Sequence, residues 1–209
     1  MAVYNNAKCR VCRRSGEKLF LKGERCYTAK CGVVRRAYPA GQQGKARRVR
    51  LTDYGLQLRE KQKIRRNYGI LERQFVNYVK DAVSQKGNSA EILLSALERR
   101  LDNVVYRAGL APSRKGARLL VNHGHFRVNG KRMDIPSYQV KVGQIVTVKD
   151  LSKGKNYFKS LSEQLTKMEV PSWIALDAKK PEIKIVSEPS SREVMLVADI
   201  RPVIEYYSR

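Results

Sequence analysis

The sequence predicts an α+β protein: a basic N-terminal arm built on a cysteine knuckle, a mostly helical domain, and a small module of two short helices plus antiparallel strands. Three observations carry that reading. All four cysteines fall within the first 31 of 209 residues. Between residues 51 and 101, apolar side chains recur at helical spacing in three successive segments. Asn129-Gly130, flanked by alternating residues, is a strong hairpin signal. With 42% hydrophobic and 30% charged residues, the chain should bury a core beyond its N-terminal stretch.

The cysteine knuckle comes first. Cys9, Cys12, Cys26 and Cys31 are spaced C-x2-C, then thirteen residues, then C-x4-C. The short spacings let two tight turns aim four thiolates at one point, the tetrahedral arrangement of a structural Zn2+ site. So short a segment builds no core of its own, and a metal would supply its folding energy. An iron–sulfur cluster takes the same four thiolates and stays open on spacing alone. A pair of disulfides would suit a secreted mini-domain, which the rest of the chain does not resemble. With four sulfurs bound, either metal is structural, because no position is left for a catalytic water.

Around the cysteines crowd Arg10, Arg13, Arg14, Lys22, Arg25, Lys30, Arg35 and Arg36. Residues 37–50 mix Pro, Gly, Gln and Arg without periodicity, reading as an extended linker that carries Lys45, Arg47, Arg48 and Arg50. This arm is taken as residues 1–50.

Next, Thr52 is placed to cap a helix running to about Asn67 and stopped by Gly69. Leu51, Tyr54 and Leu58 mark its inner stripe, with Arg59, Lys61, Lys63, Arg65 and Arg66 on the other side. A second helix over about 71–85 has Leu71, Phe75, Tyr78, Val79 and Ala82 at core spacing. Asn88 and Glu91 resemble a capping box for a third, whose buried stripe is Leu93, Leu94, Leu97 and Leu101. Together they make a helical domain over 51–98.

The module follows, over 99–164. Asp102 is expected to cap a helix at 103–108, and Ser113 another at about 114–123, closed by Gly124. The pair is a helix–turn–helix in outline. Arg114, Lys115 and Arg118 share one face of the second helix, with Leu119, Leu120 and Val121 on its buried side. Phe126–Met133 forms the hairpin, and Val140, Val142, Ile145, Val146 and Val148 supply further short strands around Gly143. Residues 155–167 read as helix, 173–177 and 183–186 as strands. Asp199 is placed to cap a terminal helix that tolerates Pro202 in its first turn.

Charge indicates the partner. The formal net charge is +24. Residues 1–50 hold 14 basic against 2 acidic side chains, residues 99–132 hold 9 against 1, and residues 150–209 are nearly balanced at 10 against 9. Two concentrated positive fields call for a polyanion, and a phosphate backbone that releases counterions on binding supplies one. No membrane partner is expected: no apolar run is long enough to span, and no helix shows an exposed aromatic face. Met1–Lys8 lacks the apolar stretch of a signal peptide, so a cytoplasmic location with reduced thiols is expected.

Several motifs then resemble a known family. Arg99-Arg-Leu-Asp-Asn-Val-Val-Tyr-Arg107, Ser113-Arg-Lys-Gly-Ala-Arg118, Val121-Asn-His-Gly-His125, Val128-Asn-Gly-Lys131 and Pro136-Ser-Tyr138 are similar to the bacterial-type uS4 family of small-subunit ribosomal proteins. So are Leu58-Arg-Glu-Lys-Gln-Lys63, Arg65 to Gly69, and the ending Ile204-Glu-Tyr-Tyr-Ser-Arg209. The four cysteines resemble the metal-binding branch of that family, and residues 179–198 match it least. The resemblance implies that the α+β module is inserted into the helical domain, onto which residues of about 165–209 pack back. It also implies binding to 16S rRNA at a multi-helix junction early in assembly of the 30S subunit. Contacts with ribosomal protein uS5 linked to decoding accuracy, a place along the mRNA entry channel and, in some members, repression of their own messenger are implied too.

The expected mechanism is structure-specific RNA binding without catalysis. The arm's cations would thread between RNA helices. The faces at 59–66 and 114–132 would clamp neighbouring backbones, with Ser113, Arg114, Lys115, Arg118, Asn122, His123, His125, Arg127, Asn129, Lys131 and Arg132 as the candidate RNA contacts there. RNA duplex grooves hide base identity, so phosphate, 2′-hydroxyl and shape contacts should dominate. His123 and His125, beside a glycine turn and a hairpin, suit capping, packing or stacking better than acid–base chemistry. Tyr54, Tyr68 and Tyr138 read as core rather than as base platforms. Two alternatives are an RNA-modifying enzyme carrying this module and a zinc-containing nucleic-acid-binding regulator. The first needs a sizeable catalytic domain that residues 150–209 do not provide. The second draws on the helix pair at 103–123.

Overall fold

The computed structural model describes residues 7–46, 50–165, 170–177, 180–190 and 198–208. The chain divides into two compact units, Met1–Leu93 with Met195–Arg209, and Leu94–Val194.

In the first unit, α1 (Lys8–Ser15), a 3-10 turn at Gly23–Cys26 and α2 (Gly32–Arg35) form the knuckle. Its core is small: Val11, Cys12 and Leu19, with Leu21 and Val33 against them. A further 3-10 turn at Gln42–Lys45 precedes α3 (Asp53–Asn67), α4 (Glu72–Ser84) and the start of α5 (Ser89–Glu98); α10 (Arg201–Tyr207) closes the unit. Thr52 caps α3, its hydroxyl accepting from the Gly55 N–H at 3.2 Å. Asn88 accepts from the Ala90 N–H at the start of α5, and Asp199 from the Arg201 N–H at the start of α10.

The inner face of α3 differs from the expectation. Tyr54 is exposed and Leu51 and Leu58 are only half-buried, whereas Gln57, Lys61, Lys63, Ile64 and Asn67 are buried. The cause is the neighbour. α3 packs on α10, whose polar and aromatic side chains are absent from any local pattern. Gln57 donates to Glu205 at 3.0 Å, and Lys61 lies 4.8 Å from the Tyr206 ring centroid.

The second unit carries a five-stranded antiparallel sheet in the order β2-β1-β3-β5-β4. Its strands are β1 (Phe126–Val128), β2 (Lys131–Met133), β3 (Ile145–Val148), β4 (Ile174–Asp177) and β5 (Glu182–Ile185). The hairpin is in the expected register, Val128 opposite Lys131. Asn129 at φ 47 and Gly130 at φ 78 give the two left-handed residues that such a turn requires. Val140 and Val142 lie outside the named strands; Gly143 makes a turn whose N–H donates to the Ile185 carbonyl at 2.9 Å. Because β4 and β5 complete this sheet, the unit extends past the expected boundary at 164. Of the tail over about 165–209, only α10 and the residues beside it fall in the first unit.

Helices α6 (Leu101–Arg107), α7 (Arg114–Asn122), α8 (Asp150–Lys153) and α9 (Asn156–Leu165) complete this unit. Val104, Val105, Ala117, Val121, Phe126, Val146, Trp173, Ile183 and Ile185 form its core. Two local readings need correction. Asp102 lies inside α6 rather than capping it, because its carboxylate is buried against an arginine. Leu119 is 53% exposed, and the buried face of α7 is instead Ala117 and Val121, four residues apart as one helix face demands.

Candidate nucleic-acid interface

The knuckle orders its own surface. Arg13 donates from Nε to the Tyr38 carbonyl at 2.8 Å and from a terminal nitrogen to the Pro39 carbonyl at 3.1 Å. Its guanidinium sits 4.8 Å from the Tyr38 ring centroid, and Lys45 approaches the same ring at 5.5 Å. Residues 38 and 39 are therefore tied to α1, and Gln42–Lys45 forms a 3-10 turn, so the segment is not a plain extended linker. Arg13 acts as its anchor. Arg47 and Arg48 lie outside the described residues.

That anchoring shapes a basin of about 460 Å³ lined by Arg13, Arg14, Arg50 and Arg59, with Pro39, Leu51 and Leu56. Arg14, Arg50 and Arg59 are exposed, as are Arg10, Lys22, Arg25, Arg35 and Arg36. In this unit, ion pairs take up Lys61, Lys63 and Arg65. Guanidinium groups converging on one basin suit phosphate oxygens, which they bind in a bidentate fork.

Three residues expected on the RNA face of α3 are structural. Lys61, 4% exposed, donates to Glu72 at 2.6 Å. Lys63, 5% exposed, bonds Glu60 at 2.7 Å and Glu17 at 2.9 Å. Burial alone lowers the Lys63 pKa, but the two carboxylates more than reverse this and hold it above the ordinary ammonium range. Arg65 reaches Gln62 and Glu72. Glu72 also accepts from the Tyr207 hydroxyl at 2.6 Å. Burial would raise the Glu72 pKa, yet Lys61, Tyr207 and Arg65 outweigh it and hold the carboxyl below its usual range. Arg66 is half-buried rather than exposed.

The second basic field is thinned in the same way. Arg100, fully buried, makes a two-pronged bond to Asp102 at 3.0 and 2.7 Å, and Arg118 stands 3.9 Å from that carboxylate. Arg107 makes a similar fork to the fully buried Glu98 at 3.0 and 2.9 Å. Arg114 donates to Asn103 at 2.8 Å and lies 4.6 Å from the Tyr106 ring centroid. Arg99 pairs with Glu188. Four of the field's nine cations remain at the surface: Lys115, Arg127, Lys131 and Arg132, with Arg127 and Arg132 near Asp150 and Asp134.

Other expected contacts have local roles. The Ser113 hydroxyl caps α7 through the Gly116 N–H, and the Asn129 side chain accepts from the Ile145 N–H at 2.9 Å. His125 Nδ1 lies 2.9 Å from the Ser152 hydroxyl and its ring meets Phe158 edge-on. Burial, then Lys155, His123 and Lys149, lower its pKa. His123 is exposed and Asn122 half-buried. Lys149 and Lys155 lie near His125, while Lys153 pairs with Asp150 at 2.8 Å.

Cys9, Cys12, Cys26 and Cys31 all line one pocket, and none is in a disulfide. Among the described residues, no group of three or more His, Cys, Asp and Glu side chains stands in metal-holding positions. The sulfurs share a pocket rather than a closed tetrahedron. Further contacts lie at the sulfurs. The Lys22 N–H donates to Cys26 Sγ at 3.4 Å. Gly32 leaves room for the Cys9 thiol, since a Cβ there would stand 3.2 Å from Cys9 Sγ. Burial raises the Cys12 pKa, a Leu19 backbone hydrogen bond opposes it, and the other three sulfurs raise it further.

Residues 3–98 match the Ribosomal protein S4/S9 N-terminal domain, and residues 99–146 match the S4 domain. The small ribosomal subunit protein uS4 of Acetivibrio thermocellus is 53% identical over all 209 residues, covering the whole of both chains. The chain belongs to the uS4 family. The uS4 proteins of Syntrophomonas wolfei and Clostridioides difficile, 49% and 50% identical, are likewise matched end to end. In uS4 terms, the junction of the two matched regions falls between Glu98 and Arg99, inside the Glu98–Arg107 pairing.

Proposed function

We propose that this protein is a structural constituent of the small ribosomal subunit that binds 16S rRNA. It has no catalytic step, in keeping with a family of ribosomal proteins rather than enzymes. The end-to-end match to uS4 proteins carries the reading, and the exposed arginines of the basin supply a physical means. The N-terminal unit presents guanidinium groups to phosphate at Arg14, Arg50 and Arg59. In the other unit, Lys115, Arg127, Lys131 and Arg132 present a second, smaller set. Neither set reads bases, so fit to a multi-helix junction selects the site. Eight or so phosphate contacts give a slope of about −6 to −7 for log affinity against log salt. A slope near −2, or equal competition by duplex DNA, would overturn the clamp.

In the same proposal Cys9, Cys12, Cys26 and Cys31 hold a structural Zn2+, which would cross-link a knuckle whose own core is three residues. Metal analysis of the purified chain tests it, and visible absorbance would instead mark an iron–sulfur cluster. Replacing Cys9 and Cys12 with Ser should loosen residues 7–45 and weaken RNA binding while α3 to α5 stay folded. Unchanged binding would leave the metal without a role. Early action in 30S assembly, contact with ribosomal protein uS5 and decoding accuracy, mRNA contact at the entry channel and a cytoplasmic location complete the proposal. No described helix is long and apolar enough to cross a membrane. Crosslinking within assembled 30S particles tests the partners.

A further inference from the structure

Tyr27 stands on the knuckle with 72% of its surface exposed, more than any other aromatic ring among the described residues. Its mounting is firm. The Tyr27 N–H donates to the Glu24 carbonyl at 3.0 Å, and the Cys31 N–H to the Thr28 carbonyl at 3.1 Å. The Thr28 hydroxyl donates to the Arg25 carbonyl and accepts from the Lys30 N–H. Phe20 backs the ring at 5.1 Å between centroids, with 34° between the planes. Phe20 itself has φ 49, a left-handed conformation that a bulky residue adopts only when its surroundings impose it. The fold thus holds one aromatic ring under another that faces outward.

The surroundings are cationic. Lys22, Arg25 and Lys30, within five residues of Tyr27 in sequence, are exposed, with Glu24 as the single acid between Lys22 and Cys31. Arg25 Nε donates to the Lys30 carbonyl at 3.3 Å, which fixes the guanidinium beside the turn. An exposed aromatic ring in a cation-rich turn matches a nucleotide: the ring takes the base, the cations take its phosphates.

We propose that Tyr27, backed by Phe20, is a stacking platform for one unpaired base of the bound RNA. The inference rests on the rRNA-binding reading and adds to it a contact that phosphate clamping does not provide. Paired bases have both faces covered by their neighbours, so the occupant is a nucleotide in a bulge, loop or junction.

Binding of the zinc-loaded full chain to 16S rRNA, measured across a salt series, tests the proposal. Tyr27→Ala should weaken binding about ten- to a hundredfold, with an unchanged salt slope because no phosphate contact is removed. Tyr27→Phe and Tyr27→Trp should bind as the parent does. The Tyr27→Trp protein, compared with the parent for the background of Trp173, should show indole quenching on RNA addition, a readout that survives if Tyr27→Ala misfolds. Parental affinity of Tyr27→Ala, equal weakening of all three variants, or an unquenched indole would overturn the platform. So would intact RNA affinity combined with poor incorporation into 30S particles, which would mark Tyr27 as a protein contact. Failure of the parent chain to bind 16S rRNA would instead remove the ribosomal reading itself.

Discussion

The two basic fields look alike in sequence and behave differently in the fold. In the N-terminal unit, Arg14, Arg50 and Arg59 line an open basin and remain exposed. In the segment 99–132, Arg100, Arg107, Arg114 and Arg118 are drawn onto Glu98, Asp102 and Asn103. Two buried acids account for most of the contrast. A carboxylate at 0% exposure must be paired or it forfeits its hydration without return, so Glu98 and Asp102 gather guanidiniums from the nearby helix faces. The knuckle has no such acid. High local charge therefore stays open to solvent in one unit and becomes internal cross-linking in much of the other.

The sharpest way to break this comparison is Asp102→Ala. It leaves fully buried Arg100 without its carboxylate, and removing one partner of a buried pair costs about 3–5 kcal/mol. Chemical denaturation should show that loss in the unit holding α6 and α7; a change under 1 kcal/mol, roughly a surface-pair effect, would mean the arginines are not structural. Next comes Lys63→Ala, which leaves Glu60 and Glu17 without their shared ammonium and should destabilise by about 1.5–3 kcal/mol. Its salt slope for RNA binding should stay parental. Replacing Arg14 and Arg59 with Ala should do the reverse: no stability change, and a slope shallower by about one for each residue. A slope change in Lys63→Ala would place that side chain on the RNA after all.

The smallest effect concerns pH. Glu72 is held below its usual range by Lys61, Tyr207 and Arg65, so the ionised form stabilises the docking of α10. That contribution is complete above about pH 4.5 and is lost as pH falls through the lower folded value. Tyrosine fluorescence should follow the loss, through Tyr206 and Tyr207, and Glu72→Gln should flatten it. A parental acid limb in that variant would assign the titration to another group.

Legibility followed the range of the interaction. The hairpin at Asn129-Gly130 and the caps at Thr52 and Ser113 were readable because each depends on residues two or three apart. Two failures were local, at Asp102 and Leu119; others came at long range. Lys63 reads as a surface cation until Glu17, 46 residues earlier, is beside it. Gln57 reads as polar surface until Glu205, 148 residues later, is beside it. Strands β4 and β5 are visible as short apolar runs, yet nothing local assigns them to the sheet begun by β1.

By itself, the sequence determined the sign and density of charge, the four thiols and their spacing, and the turns and caps that start and stop the elements. These follow from composition and from bonds within a few residues. Only the tertiary structure decided which arginines and lysines meet solvent, that Arg13 anchors residues 38 and 39, and that Tyr27 is raised on Phe20. A cation's role depends on whether folding delivers a carboxylate to it, and sequence separation does not decide that: Asp102 reaches Arg100 from two residues away, Glu17 reaches Lys63 from forty-six.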